Sequence, residues 1–445
     1  MRSRESLYGL WHPGSPVSTA PVRAVVPDQL IYHLQSLAGL SVILAAAWAF
    51  SENRRAFPYR TVVSGLALQF ALALLLLKVP AARAALLSLN VIVNALTAAT
   101  RTGTSFVFGY VGGGAPPFAI TSAKGLTNFA FQILPLVIVI SALAALLWHW
   151  RILPLVVNAF AWILRKVMGV GGAIGLGSAA TIFLGMIEAP LLIRPYLTQL
   201  SRSELFMLFS VGLATVAGTV FVLYATILEP VVPGALGHIL VASFISLPGA
   251  LMIGRIMIPG TAETEAHAVP SLNYRSSMDA IARGTEDGLK LWLGIVAMLL
   301  VIVALVALVD IMLAPVPPIG GAPLSIERIF GWIFAPLVWL YGIPWQEAAT
   351  AGSLMGQKTV LNEFVAYLKL AALPAGALDP RARLIMVYAM CGFANFGSVG
   401  IMIAGVSSLV PERRDEIVPL AMRALLSGTM ASGLTGCIIG LLPVA

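Results

Sequence analysis

Long apolar stretches separated by short polar ones set the pattern of this chain. Charge-free runs occupy residues 29–51, 61–77, 125–148, 205–228, 230–254, 291–309, 384–411 and 424–445. A helix needs about 20 apolar residues to cross a bilayer. Backbone groups find no water in lipid, so spanning segments must be helices or a closed barrel. The ten-residue alternation of a barrel is absent. The pattern therefore predicts an all-α polytopic membrane protein with about eight transmembrane helices. Residues 81–110 mix apolar positions with Arg83 and Arg101 and read as an interfacial helix.

Two further segments, 170–199 and 345–372, are apolar but interrupted by glycine or proline. Each holds a carboxylate in apolar surroundings, Glu188 and Glu363. Each also precedes two of the long apolar runs. Broken segments at matching places in two halves are the mark of an internal repeat whose half-helices meet near the membrane midplane. The expected organisation is a disordered tail over 1–27, scaffold helices and the interfacial helix over 28–124, and a first repeat over 125–258 with a re-entrant hairpin at 170–199. A polar connecting loop follows over 259–287. The second repeat, over 288–445, carries a scaffold helix and the hairpin at 345–372.

Composition agrees. The chain of 445 residues is 59% hydrophobic and 10% charged, against about 25% charged in soluble domains; its mean hydropathy is +0.93. The 27 basic and 19 acidic residues leave a charge of +8. The basic residues lie mostly between apolar runs, which points to topology and lipid headgroups rather than nucleic acid. Arg54, Arg55 and Arg60 place the first loop in the cytoplasm by the positive-inside rule, whereas Arg2, Arg4 and Arg23 pull the other way. The first 30 residues lack an apolar core of the signal-peptide type. Cys391 and Cys437 each sit in an apolar stretch and read as small buried residues, not a disulfide framework.

The chemistry lies in the few polar residues inside apolar runs. A charge at the centre of a lipid-facing helix costs roughly 2.5–3.5 kcal/mol. Glu188, in "LGMIEAPLLIRPYL", must therefore face a cavity or a partner, or else cap a half-helix or pair with Arg194 at the interface. Glu363 repeats the situation in "VLNEFVAY", beside Asn362; Lys358, five residues earlier, is too far round a helix for an ideal pair. Ionised carboxylates accept hydrogen bonds, so the two suit a guest with hydroxyls and amines. In "CGFANFGSVGIMIAG", Asn395 and Ser398 share a helix face and Phe393 offers an aromatic surface. Gly392, Gly397, Gly400 and Gly405 imply an unwound helix or simply close helix contact. In "GLATVAGTVFVLYATIL", Thr219 either bonds its own i−4 carbonyl or, near other oxygens, contributes to an ion site.

Taken together, "GMIEAPLLIRPYL", "VAGTVFVLYATIL", "KTVLNEFVAYLKL" and "CGFANFGSVGIMIAG" resemble the concentrative nucleoside transporters, in order and spacing, from about residue 30 to the C-terminus. The strings "NEFVAY" and "CGFANF" are specific to that family. The resemblance implies inverted repeats with two re-entrant hairpins, a homotrimer in the bacterial inner membrane, and import of nucleosides by symport with Na+ or H+. It also implies a divided substrate site. Glu363, Asn395 and Ser398 would hold the ribose, with Phe393 lining the pocket, and the first hairpin would face the base. There the family usually reads Gly-Gln-Thr/Ser-Glu, whereas this chain has Gly185, Met186, Ile187 and Glu188. The family's Na+ site uses an Asn four positions before that glycine, two backbone carbonyls and a hydroxyl. The matching positions here are Thr181, Leu184, Thr219 and Val220.

The departures have consequences. Met186 and Ile187 remove two polar partners for a base edge, and selectivity depends on bonds that a wrong ligand leaves unpaired. A roomier, less discriminating base pocket is the expectation. A threonine in place of the amide still offers an oxygen to a hard cation, and proton coupling through Glu188 or Glu363 is the alternative. No cofactor is implied, and only nucleosides, lipid and further copies of the chain are implied as partners. Other readings are a facilitative channel or a carrier for another small polar metabolite. A polytopic enzyme using the two glutamates as acid and base is a further one. Against the enzyme, HExxH and GxSxG spacings are absent and His12, His33, His149, His238 and His267 are scattered.

Overall fold

The computed structural model describes residues 26–120, 128–261, 263–266, 274–319, 321 and 323–442. The tail expected over 1–27 falls outside these residues but for its last two positions, as do Arg2, Arg4, Arg23, His12 and His267. The described chain is helical, with no strand. Helices α1 (Val26–Ala49), α2 (Tyr59–Lys78) and α3 (Pro80–Phe108) form the N-terminal part. The segment expected as an interfacial helix over 81–110 is thus one continuous helix, α3, which packs on α2 and α11.

Two matching series follow. The first runs α4 (Leu136–His149), α5 (Ile152–Met168), the hairpin α6 (Gly172–Leu184), α7 (Glu188–Leu192) and α8 (Arg194–Leu197), then α9 (Arg202–Ala214), α10 (Gly218–Leu228) and α11 (Ala235–Met257). The second runs α12 (Ser277–Leu313), α13 (Ile326–Leu340), the hairpin α14 (Trp345–Val360) and α15 (Glu363–Ala372), then α16 (Pro380–Met390), α17 (Phe396–Leu409) and α18 (Arg414–Leu441). Each series is a long helix, an amphipathic helix, a hairpin, a broken helix and a long helix. The two series repeat one order of elements, although the second starts at Ser277, inside the stretch expected as a polar loop over 259–287, because Ser276 caps the helix there.

Among the described residues, seven helical runs are long and apolar enough to span a membrane. An eighth arises only if α13 and α14, which meet at 115°, count as one. The reading from charge-free runs differs from the structure at four places. Residues 205–228 and 384–411 look continuous in hydropathy, yet each breaks in the middle, at 215–217 and 391–395. The amphipathic helices α5 and α13 were not among the expected spans. Their signal is a spacing of three and four: Val157, Phe160, Ala161, Leu164 and Met168 form the buried stripe of α5.

Capping explains several ends. Ser201 and Glu204 form a capping box at α9. Asp379 caps α16, Asn362 caps α15 and Asn395 caps α17. One end of the bundle collects basic residues around the loop holding Arg54 and Arg55. There Glu52 accepts from Arg202 at 2.9 Å and from Arg423, and Arg255 donates to the Gly169 carbonyl at 3.1 Å. The Arg202 guanidinium holds the Glu52 carboxyl below its usual range. Hairpin α6–α8 starts at this end, beside Gly169, whereas hairpin α14–α15 starts beside Gly342 at the other, where Arg381 donates to the Gly342 and Gly440 carbonyls, and both tips reach one central space.

Candidate functional site

The two helix breaks cross at the centre of the molecule. The Phe393 amide donates to the Thr215 carbonyl at 3.2 Å. A Cβ added at Gly392 would lie 2.7 Å from the Ala214 carbonyl oxygen, so only glycine permits this approach. Four helix ends and two hairpin tips therefore converge, and their exposed backbone groups and dipole ends face one space.

That space is a cavity of about 530 Å³. Its walls carry Leu184, Gly185, Met186, Ile187 and Glu188 from the first hairpin, and Thr219, Val220 and Tyr224 from α10. The second hairpin gives Asn362 and Glu363, and the second break gives Phe393, Asn395 and Ser398. Lys290, Leu291, Gly294 and Ile295 of α12 form the remaining side. All seven residues expected to bind substrate line this one cavity.

The second-repeat side is a connected polar network. Glu363 is 3% exposed. Its Oε1 accepts from the Tyr224 hydroxyl at 2.5 Å and its Oε2 from Asn395 Nδ2 at 3.2 Å. Asn395 Oδ1 accepts from the Ser398 amide at 2.7 Å, and Asn362 Oδ1 from the Val365 amide at 2.9 Å. Each amide side chain thus fixes a helix start with one atom, and Asn395 also holds the carboxylate with its other. Tyr224 was not foreseen from the sequence. A lone tyrosine at that place in an apolar helix has no local feature that points to a residue 139 positions away.

The first-repeat side is different. Gly185 has φ 111° and ψ 177°, a region open essentially to glycine alone. Met186 is buried against Gly212, and Ile187 packs on Gly405. Glu188 turns its carboxylate back toward Gly185: a Cβ there would lie 2.9 Å from its Oε2. The alternative pairing of Glu188 with Arg194 does not form; none of the ion pairs among the described residues joins them.

Of the four positions matched to a cation site, Leu184, Thr219 and Val220 line the cavity. Thr181 sits one turn back, buried, its hydroxyl donating to the Gly177 carbonyl at 2.8 Å. The C-terminal end of α6 abuts the start of α10: a Cβ at Gly218 would lie 3.0 Å from the Phe183 carbonyl oxygen. Among the described residues no group of three His, Cys, Asp or Glu side chains could hold a metal. A cation here would take hydroxyl and carbonyl oxygens, the ligands a hard ion prefers. Cys391 and Cys437 are both buried and free.

Comparison with known proteins agrees with this geometry. Residues 38–111 match the family model "Na+ dependent nucleoside transporter N-terminus", 130–231 match "Nucleoside recognition", and 238–440 match "Na+ dependent nucleoside transporter C-terminus". The nucleoside permease NupC of Helicobacter pylori is 38% identical over 92% of this chain and 97% of its own. Sodium/nucleoside cotransporter 1 of Rattus norvegicus is 32% identical over 94% of this chain and 64% of its own. The structure of CNTnw in an inward-facing substrate-bound state superposes with a TM-score of 0.84, at 35% identity, over 92% of this chain and 97% of that one. With crossed helix breaks, paired hairpins and end-to-end relatives in agreement, this chain belongs to the concentrative nucleoside transporter family.

Proposed function

We propose that this protein imports nucleosides across the bacterial inner membrane as a secondary active symporter, with Na+ as the coupling ion. The observation that carries the reading is the cavity itself, a largely apolar space lined by both the buried, hydrogen-bonded Glu363 carboxylate and Glu188. Glu363, Asn395 and Ser398 bind the ribose hydroxyls, and Phe393 lies against the guest. Glu188, Met186 and Ile187 face the base. Na+ sits at the α6–α10 contact, held by the Thr181 and Thr219 hydroxyls and the Leu184 and Val220 carbonyls. The hairpins and broken helices move as one unit against a scaffold. The scaffold includes α12, whose exposed Leu300, Val303, Leu308 and Ile311 suit contacts in a homotrimer. The basic end that holds Arg54, Arg202, Arg255 and Arg423 faces the cytoplasm, as the positive-inside rule requires.

Uptake of radiolabelled uridine and adenosine into proteoliposomes, under imposed sodium or proton gradients, tests this reading. Accumulation driven by sodium is expected. Unchanged uptake without sodium transfers the coupling to protons, through the Glu188 carboxylate that faces the cavity. Flux that never exceeds equilibration means a facilitative carrier or channel.

A further inference from the structure

Lys358 has no role in the site as described, yet its position is unusual. It is 0% exposed, the only lysine or arginine in the described chain that is fully buried. Its Nζ has no hydrogen-bond partner among the described residues. An ammonium removed from water without compensation is costly enough that such groups are almost always paired. The charge it can interact with is near. Lys358 and Glu363, five residues apart at the tip of one buried hairpin, sit close enough to interact electrostatically. No ion pair within 4 Å joins them.

The hairpin geometry explains the separation. Lys358 lies in the last turn of α14, where the helix dipole favours a cation, and Glu363 in the first turn of α15, where it favours an anion. The break at 361–362 between them turns Glu363 into the cavity and leaves Lys358 behind it, off the cavity wall. The carboxylate's direct partners, Tyr224 and Asn395, are neutral. Its charge thus has one buried opposite charge to balance it, and that charge does not compete for the oxygens a sugar would use.

We propose that Lys358 is the built-in counter-ion of Glu363, a positioning residue that keeps the carboxylate charged, and hence a strong double acceptor, inside a dry hairpin. This rests on the reading of Glu363 as the ribose ligand. The reason is Coulombic: in a low-dielectric interior the interaction reaches across a gap that would count for little in water.

Uridine binding to the purified full-length protein in lipid nanodiscs tests the proposal, with wild type, Lys358→Met, Lys358→Arg, Glu363→Gln and the Lys358→Met/Glu363→Gln double variant. At least a tenfold loss is expected for Lys358→Met, and recovery to within about threefold for Lys358→Arg. On the Glu363→Gln background, Lys358→Met should cost less than twofold, because no charge remains to balance. Equal losses on both backgrounds would overturn the proposal and leave Lys358 a packing residue. If Lys358→Met does not fold, the double variant should, since the pair leaves together; its failure to fold also overturns the proposal. Wild-type protein that binds no uridine refutes the nucleoside reading itself, a result distinct from any pattern among the variants.

Discussion

The two hairpins share one architecture and divide the chemistry between them. The tip of α14–α15 is tied down: Glu363 is held by Tyr224 and Asn395, and Asn362 and Asn395 both cap helices. The tip of α6–α7 is Gly185, Met186 and Ile187, packed by apolar contact, with Glu188 facing the cavity. A buried polar network holds one geometry, because any displacement strands a donor or acceptor. A thioether and a branched alkyl group accommodate many shapes, since methionine in particular adapts to irregular surfaces. The difference teaches how one protein can require a constant part of its guest while tolerating a variable part. On the proposed reading, the second repeat fixes the ribose and the first admits different bases.

Four variants break or sharpen that contrast. The largest effect on binding belongs to Glu363→Gln, which keeps shape but removes the charge. Hydrogen bonds to charged groups contribute roughly 1.5–3 kcal/mol, so uridine affinity, read by isothermal titration, should fall about tenfold to a hundredfold with folding intact. Gly185→Ala comes next. It forces a side chain into a backbone region that costs about 1–3 kcal/mol and crowds the Glu188 carboxylate. The thermal unfolding midpoint in detergent should drop, and near-wild-type stability would mean the tip is not fixed at φ 111°.

Tyr224→Phe removes one of the two donors to Glu363 and should weaken uridine binding by about tenfold, near 1.5 kcal/mol. The loss should be smaller when Glu363 is already Gln. The smallest change in overall rate, and the sharpest test of the contrast, is the pair Met186→Gln and Ile187→Thr. These restore polar partners to the first hairpin. Competition uptake with the common nucleosides should show weak base preference in the wild type and a several-fold stronger preference in the variant, because only polar partners penalise the wrong edge. A tenfold base preference in the wild type would contradict the accepting role of the first hairpin.

The enclosed charges behind this contrast were legible in the chain. Glu188 and Glu363 stand out because a carboxylate in an apolar run must be enclosed, and the glycines of "CGFANFGSVGIMIAG" leave an unwound helix as one of two readings, the one the break at 391–395 bears out. The break at 215–217 was not legible. Its residues, Thr215, Val216 and Ala217, are ordinary in a membrane helix, and the helix stops there because the crossing segment claims the Thr215 carbonyl. The hydroxyl of Thr181 bonds its own helix, as a lone threonine in such a segment ordinarily does. Helical spacing does not pair Lys358 with Glu363, because it fails across a hairpin break, where five residues no longer measure an angle around one axis.

The sequence by itself determined a helical membrane protein with two repeated, interrupted segments and the identity of the charges enclosed there. Hydropathy and the cost of burying charge act locally, so they can be read residue by residue. The tertiary structure alone decided that the two breaks touch, that Tyr224 meets Glu363 across 139 positions, and that one hairpin tip is networked while the other is packed. Those outcomes depend on which distant donors and acceptors are brought within hydrogen-bond reach. A pattern of apolar and polar positions does not carry that information.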